Sequence, residues 1–207
     1  MSRKHDASLV VIGSHGKSRW REGVLGSFAN AVCHHIRFPT LMLPVRVSAG
    51  GEPAACLWRC TDLLGHLLLP TDFSAPAAQA LCYVELLVPR GVDRVTLMHA
   101  LQVPPLEFYE PGLPERVEAA ARNSLEILQG RLEAAGVPRV DARLAAGHPI
   151  SVILEMLAAE DISLIVIGTQ GKGFIAEIFL GSVAHNITRV APCPILRIPP
   201  LHRENAG

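Results

Sequence analysis

One segment of this 207-residue chain occurs twice, and that repeat constrains the fold more than any other feature. Residues 6–44 align with 161–199 without a gap, at a constant offset of 155, with sixteen identities in thirty-nine positions. Each copy carries the same glycine spacing. Gly13-Ser14-His15-Gly16 is followed after nine residues by Gly26-Ser27, and Gly168-Thr169-Gln170-Gly171 is followed after nine by Gly181-Ser182. An apolar, β-branched run precedes each block, Leu9 to Ile12 and Leu164 to Ile167. A strand that enters a glycine-rich loop and then a helix forms a cradle for an anion. The glycines let backbone N–H groups approach closely, and the helix start adds unpaired N–H groups and a favourable dipole.

About a hundred residues of alternating strand and helix precede the second copy, and nothing precedes the first. Residues 1–47 therefore read as the tail of a domain whose front part is absent. Residues 48–64, with Ala49-Gly50-Gly51-Glu52-Pro53, read as a linker. From 65 to 200 the pattern is that of one complete domain, with a short tail at 201–207. Strands are expected at Leu67 to Leu69, Val95 to Ala100, Arg139 to Leu144, Ser163 to Ile167 and Ile195 to Ile198. Ser74 is placed to cap a helix with Pro76 in its first turn. Val117, Ala121, Leu125, Leu128 and Leu132 share a helical face, and Pro149 opens another helix. Such alternation predicts a doubly wound parallel α/β sheet of five strands, plus a strand–helix–strand fragment from the first copy. Ligands of such sheets bind beyond the carboxyl ends of the strands, where strand order reverses. If the first and fourth strands of the complete domain are neighbours, Thr71-Asp72 and the glycine loop face one crevice.

Charge and composition exclude several classes. With 19 basic and 19 acidic residues the net charge is zero, which argues against a broad nucleic-acid footprint. No apolar run approaches the ~18 residues of a membrane span, and Met1 to Asp6 lacks the apolar stretch of a secretory signal. Five cysteines (Cys33, Cys56, Cys60, Cys82 and Cys193) make no even framework and read as reduced thiols of a cytoplasmic protein.

The residues of 65–200 resemble the universal stress proteins. The resemblance rests on Leu69-Pro70-Thr71-Asp72-Phe73-Ser74, on Leu97-Met98-His99-Ala100, and most heavily on Gly168-x2-Gly171-x9-Gly181-Ser182, which marks that family's ATP-binding branch. It implies a Rossmann-like fold of the adenine nucleotide alpha hydrolase type, a role in stress response, and ATP as ligand. Pro70, Thr71 and Asp72 would meet the adenosine, and the backbone of Ala100 the adenine. Gly168 and Gly171 would wrap the ribose and phosphates, and Gly181, Ser182 and Val183 would hold the phosphate tail. Residues 1–47 look like the end of a second such domain in a tandem repeat. There Gly13, Gly16, Gly26 and Ser27 would form a second phosphate loop without a counterpart of Asp72. Family resemblance also implies a homodimer, or a pseudo-dimer, joined through the last strands. Thr40 to Val45 would then pair with Ile195 to Ile198 of the same chain or of a partner.

Each site residue has a plainer reading. The glycine loop could be an ordinary βα turn, Asp72 only a helix-start charge, and Lys172 only a surface lysine. Ser182 could serve as helix N-cap and phosphate donor together. Gly13-Ser14-His15-Gly16-Lys17-Ser18 imitates a Walker loop but has two residues between its glycines where that motif needs four. Cys33-His34-His35 are consecutive and rarely share an ion on a helix. Cys56-x3-Cys60 lacks a second pair. His99 reads as a packed core histidine. No metal site and no catalytic constellation is recognisable. The sequence favours an ATP-binding regulator, with a slow Mg2+-dependent ATP hydrolase and a dimerisation module with an unused pocket as the other readings.

Overall fold

The computed structural model describes residues 8–14, 26, 29–32, 38–44, 62–102, 112–169 and 181–200. Seven strands form one sheet: β1 (Val10–Gly13), β2 (Thr40–Leu43), β3 (His66–Pro70), β4 (Arg94–Leu101), β5 (Arg139–Ala146), β6 (Leu164–Gly168) and β7 (Ile195–Ile198). Four helices, α1 (Ala75–Leu87), α2 (Leu113–Ala134), α3 (Pro149–Ala159) and α4 (Ser182–Val190), connect the later strands. Strand order is β1-β2-β7-β6-β3-β4-β5. The linker, the proline-rich loop before α2, Cys33-His34-His35, Cys56 and Cys60 lie outside the described residues.

The five parallel strands β3 to β7 are those expected. Fully apolar β3 and β6 lie at the centre, buried along their whole length, because helices cover both faces. On one face Leu67, Leu69, Leu81, Val84, Leu125, Leu132, Leu164 and Val166 form a core under α1 and α2. On the other, Leu68, Met98, Ile153, Ile165, Ile187 and Ile195 pack under α3 and α4. From β3 the chain runs outward through β4 and β5, then returns to β6 on β3's other side. The reversal of order thus falls between β3 and β6.

The sheet is wider than the five strands expected, because the first copy adds two. β2 pairs antiparallel with β7, Thr40 with Arg197, Leu41 with Leu196 and Met42 with Ile195. Since Thr40, Leu41 and Met42 correspond to Ile195, Leu196 and Arg197 at the offset of 155, this register is self-symmetric. A local two-fold axis passes through the Leu41–Leu196 pair. The internal hydrogen bonds repeat too. Val10 N–H donates to Pro39 O as Ile165 N–H donates to Pro194 O, and Ser14 N–H to Leu43 O as Thr169 N–H to Ile198 O. Gly26 N–H donates to Ser14 O as Gly181 N–H donates to Thr169 O, and Asn30 N–H to Gly26 O as His185 N–H to Gly181 O.

At the amino-terminal edge of the sheet a charged cluster was not foreseen from sequence, because its members are far apart in the chain. Arg94 Nε lies 2.6 Å from Asp141 Oδ2 and its terminal nitrogen 3.1 Å from Glu160. Arg143 also reaches Glu160, at 3.4 Å. Buried His66 bonds through Nε2 to Thr96 Oγ1 at 2.8 Å. Burial first, and then the charge of Arg94, push the His66 pKa below its ordinary value, against the opposing pull of Glu160 and Asp141. A base with a depressed folded pKa binds protons more readily when unfolded. Its stability contribution is therefore complete above pH 6.5 and is lost as pH falls through the folded value. Thermal denaturation across pH should show the melting temperature falling in mild acid below pH 6.5, with a shallower fall in His66→Gln. Identical profiles would contradict this account.

Candidate functional site

β3 ends at Pro70, and the next four residues form a tight turn into α1. Asp72 Oδ1 accepts hydrogen bonds from the Ser74 N–H, at 3.0 Å, and from the Ser74 hydroxyl. Ser74 caps the helix, accepting from the Ala77 N–H at 3.4 Å. Between them Phe73 sits at φ 60°, a left-handed conformation costly for a bulky side chain. Three contacts hold it there. Its N–H donates to Thr71 Oγ1 at 3.1 Å, its ring lies 4.5 Å from that of His99, and His99 Nδ1 donates to Thr71 O at 2.8 Å. His99 is thus half-buried and clamps the turn instead of filling the core.

Beyond β3 the cleft opens. Met98 O accepts from the Thr71 N–H, and Leu101 O accepts from Gly147 on the other side of the strand. Strand alternation then directs the Ala100 N–H and C=O to the Met98 side, past the end of β3. Across the gap, β6 ends at Gly168. A Cβ there would lie 2.7 Å from Pro76 O and 2.8 Å from Pro76 C, so this glycine is required by the close approach of α1. Gly168→Ala forces backbone apart. We expect it to cost about 1–3 kcal/mol, read as a melting temperature lower by several degrees; an unchanged value would contradict the clearance argument.

Gly181, not Ser182, is the N-cap of α4. Its N–H donates to Thr169 O at 2.7 Å, which pins the base of the glycine loop and fixes Gly181 just outside the helix. Ser182 becomes the first helical residue, makes no capping bond, and is exposed.

Pro70, Thr71, Asp72, Ala100, Gly168, Gly181, Ser182 and Val183 all line one cavity of about 470 Å3, within the range of small-molecule pockets. Gly171 and Lys172, and Gly16 and Ser27 of the first copy, lie outside the described residues. Gly13 and Gly26 lie on the far side of β7 from this cavity, in the first copy. Sequence reasoning missed His148 and Pro149 at the start of α3, together with Gln102 and Val117. The glycine spacing drew attention to one helix start, but α1, α3 and α4 all begin at this cavity. Three helix N-termini favour an anion. Among the described lining residues Asp72 is the one carboxylate, and Met98, Ile153, Ile167 and Val183 supply apolar walls.

A doubly wound sheet with a cleft at its topological switch point, bordered by helix starts, defines a Rossmann-like α/β protein. The chain belongs to the universal stress protein family, whose model matches residues 1–44 and 64–199. It is 31% identical over 132 residues to a universal stress protein of Thermus aquaticus encoded in the 3′ region of a QAH/OAS sulfhydrylase, covering 64% of this chain and 96% of that one. It is 27% identical over 149 residues to universal stress protein MJ0577 of Methanocaldococcus jannaschii, covering 63% and 91%. The solved structure of MJ0577 covers 68% of this chain and 99% of its own, with a TM-score of 0.61 at 28% identity. A universal stress protein structure from Archaeoglobus fulgidus covers 97% of this chain and 65% of its own, with a TM-score of 0.70 at 21% identity, a likeness of fold.

Proposed function

We propose that this universal stress protein binds ATP in the cleft between β3 and β6 and acts in the cytoplasm, in stress response, by passing the bound state to a partner surface. The observation that carries this reading is the cavity shared by the Pro70–Asp72 turn, the Ala100 backbone and the start of α4. The Ala100 N–H and C=O suit an adenine edge. One oxygen of Asp72 is held by Ser74, and the carboxylate borders the cavity where a ribose hydroxyl or adenine amino group would donate to it. Gly181 and Ser182 present backbone N–H groups and a hydroxyl to phosphates. Among the described residues no cluster of His, Cys, Asp or Glu could hold a metal ion, so Mg2+ would arrive on the ATP phosphates.

In the same reading residues 65–200 are the complete nucleotide unit, and 1–47 are a segment of a second copy that occupies the place of a dimer partner on β7. ATP is sensed through the glycine loop, whose base is fixed by the Gly181–Thr169 bond. Calorimetric titration of the intact protein with MgATP should give one site per chain and a raised melting temperature, about 2.7 kcal/mol of stabilisation at a hundredfold excess over Kd. No heat and no thermal shift at millimolar ATP would refute the reading.

A further inference from the structure

Among the described residues, β1 is a sheet edge. Its twin β6 is not, and the comparison between them identifies what the edge is built to receive. The two strands share their hydrogen bonds to the following strand at the offset of 155. β6 also pairs in parallel with β3, Leu67 opposite Leu164 and Leu68 opposite Ile165, and α1 covers its face. There Leu164 and Val166 are 1% and 0% exposed, whereas their equivalents Leu9 and Val11 are 44% and 54% exposed. The opposite face of β1 is covered: Ile12 packs with Ala29 and Met42. Only the side that α1 would occupy is bare.

Backbone directions agree. Val10 N–H points to Pro39 on the β2 side, so the N–H groups of Val11 and Gly13 point outward. The two sheet edges also differ. β5 carries Arg139, Asp141 and Arg143, the charges that discourage strand addition, and β1 carries none. Gly13 stands where Gly168 gives clearance to Pro76 at the start of α1.

We infer that the outer edge of β1 receives a strand–turn–helix unit from another chain, built like His66–Leu87. The incoming strand lies parallel to β1 and its helix covers Leu9 and Val11. The occupant is the front half of a second domain of this family. A second copy of this chain does not fit, because its own unit is committed between β4 and β6 at the centre of its sheet. Docking would also set an acidic turn against Gly13 and Gly26, in the relation of Asp72 to Gly168 and Gly181.

The test joins a second copy of residues 62–136 to the front of the intact chain through a flexible linker, which supplies the unit at high effective concentration. Amide exchange at Gly13 is compared in the chain alone and in the fusion. Docking predicts exchange slower by about tenfold or more in the fusion, and loss of that slowing in the fusion carrying Val11→Pro. Proline removes an outward N–H that an edge strand can spare but a paired one cannot. Equal exchange in chain and fusion, or slowing that survives Val11→Pro, overturns the inference. Concentration-dependent protection in the chain alone would make a second copy the occupant and overturns it too. The readout needs no nucleotide, so it stands apart from the ATP reading.

Discussion

Removal of residues 1–47 is expected to turn the remaining protein into a symmetric dimer. In the intact chain β2 covers the edge of β7 in a register centred on Leu41 and Leu196. Without it, two β7 strands can meet antiparallel about Leu196, each Ile195 opposite the Arg197 of the other copy. The local two-fold becomes a true one, and an interface of this kind is self-complementary. The apolar surface now covered by Ile12, Ala29 and Met42 would be bared at the same time. At low concentration, where the dimer dissociates, the truncated protein should melt well below the intact one. Sedimentation together with thermal denaturation checks both parts. A truncated protein that stays monomeric with an unchanged melting temperature would show that the first copy contributes nothing to the fold.

Asp72→Asn is expected to separate the two roles of that residue. The amide oxygen of asparagine can still accept from the Ser74 N–H, so the turn into α1 persists. What disappears is the carboxylate charge at the cleft. A hydrogen bond to a charged group contributes about 1.5–3 kcal/mol, so ATP affinity should fall by about tenfold to a hundredfold. Stability should fall by no more than about 1 kcal/mol, the scale of one charge at a helix start. Asp72→Ala should lose both, because it removes the acceptor as well. Calorimetry with ATP and thermal denaturation of both variants decide the matter. Equal affinity in wild type and Asp72→Asn would reduce Asp72 to a helix-start residue.

The parallel sheet was legible because β3, β6 and β7 are short continuous apolar runs, bounded by Pro70, Gly168 and Pro199 and separated by helices with caps. Glycine spacing found α4 but misassigned its cap. A Gly-Ser pair is compatible with either residue at the N-cap, and the Thr169 carbonyl settles the choice by fixing Gly181. His148 and Pro149 escaped notice because nothing local marks them; they reach the cleft only through the packing of α3 against α4. The two-fold register at Leu41 and Leu196 was implicit in the repeat, but a repeat does not state strand direction. Gly168 shows the limit of motif reading. Its spacing marks a phosphate loop, while the immediate reason for a glycine there is the Pro76 carbonyl.

A crystal structure grown with ATP tests the central claim most directly. The account predicts the adenine against the Ala100 backbone, the ribose beside Asp72 and the phosphates at the start of α4 by Gly181 and Ser182. Nucleotide density anywhere else, or an empty cleft at saturating ATP, would contradict it.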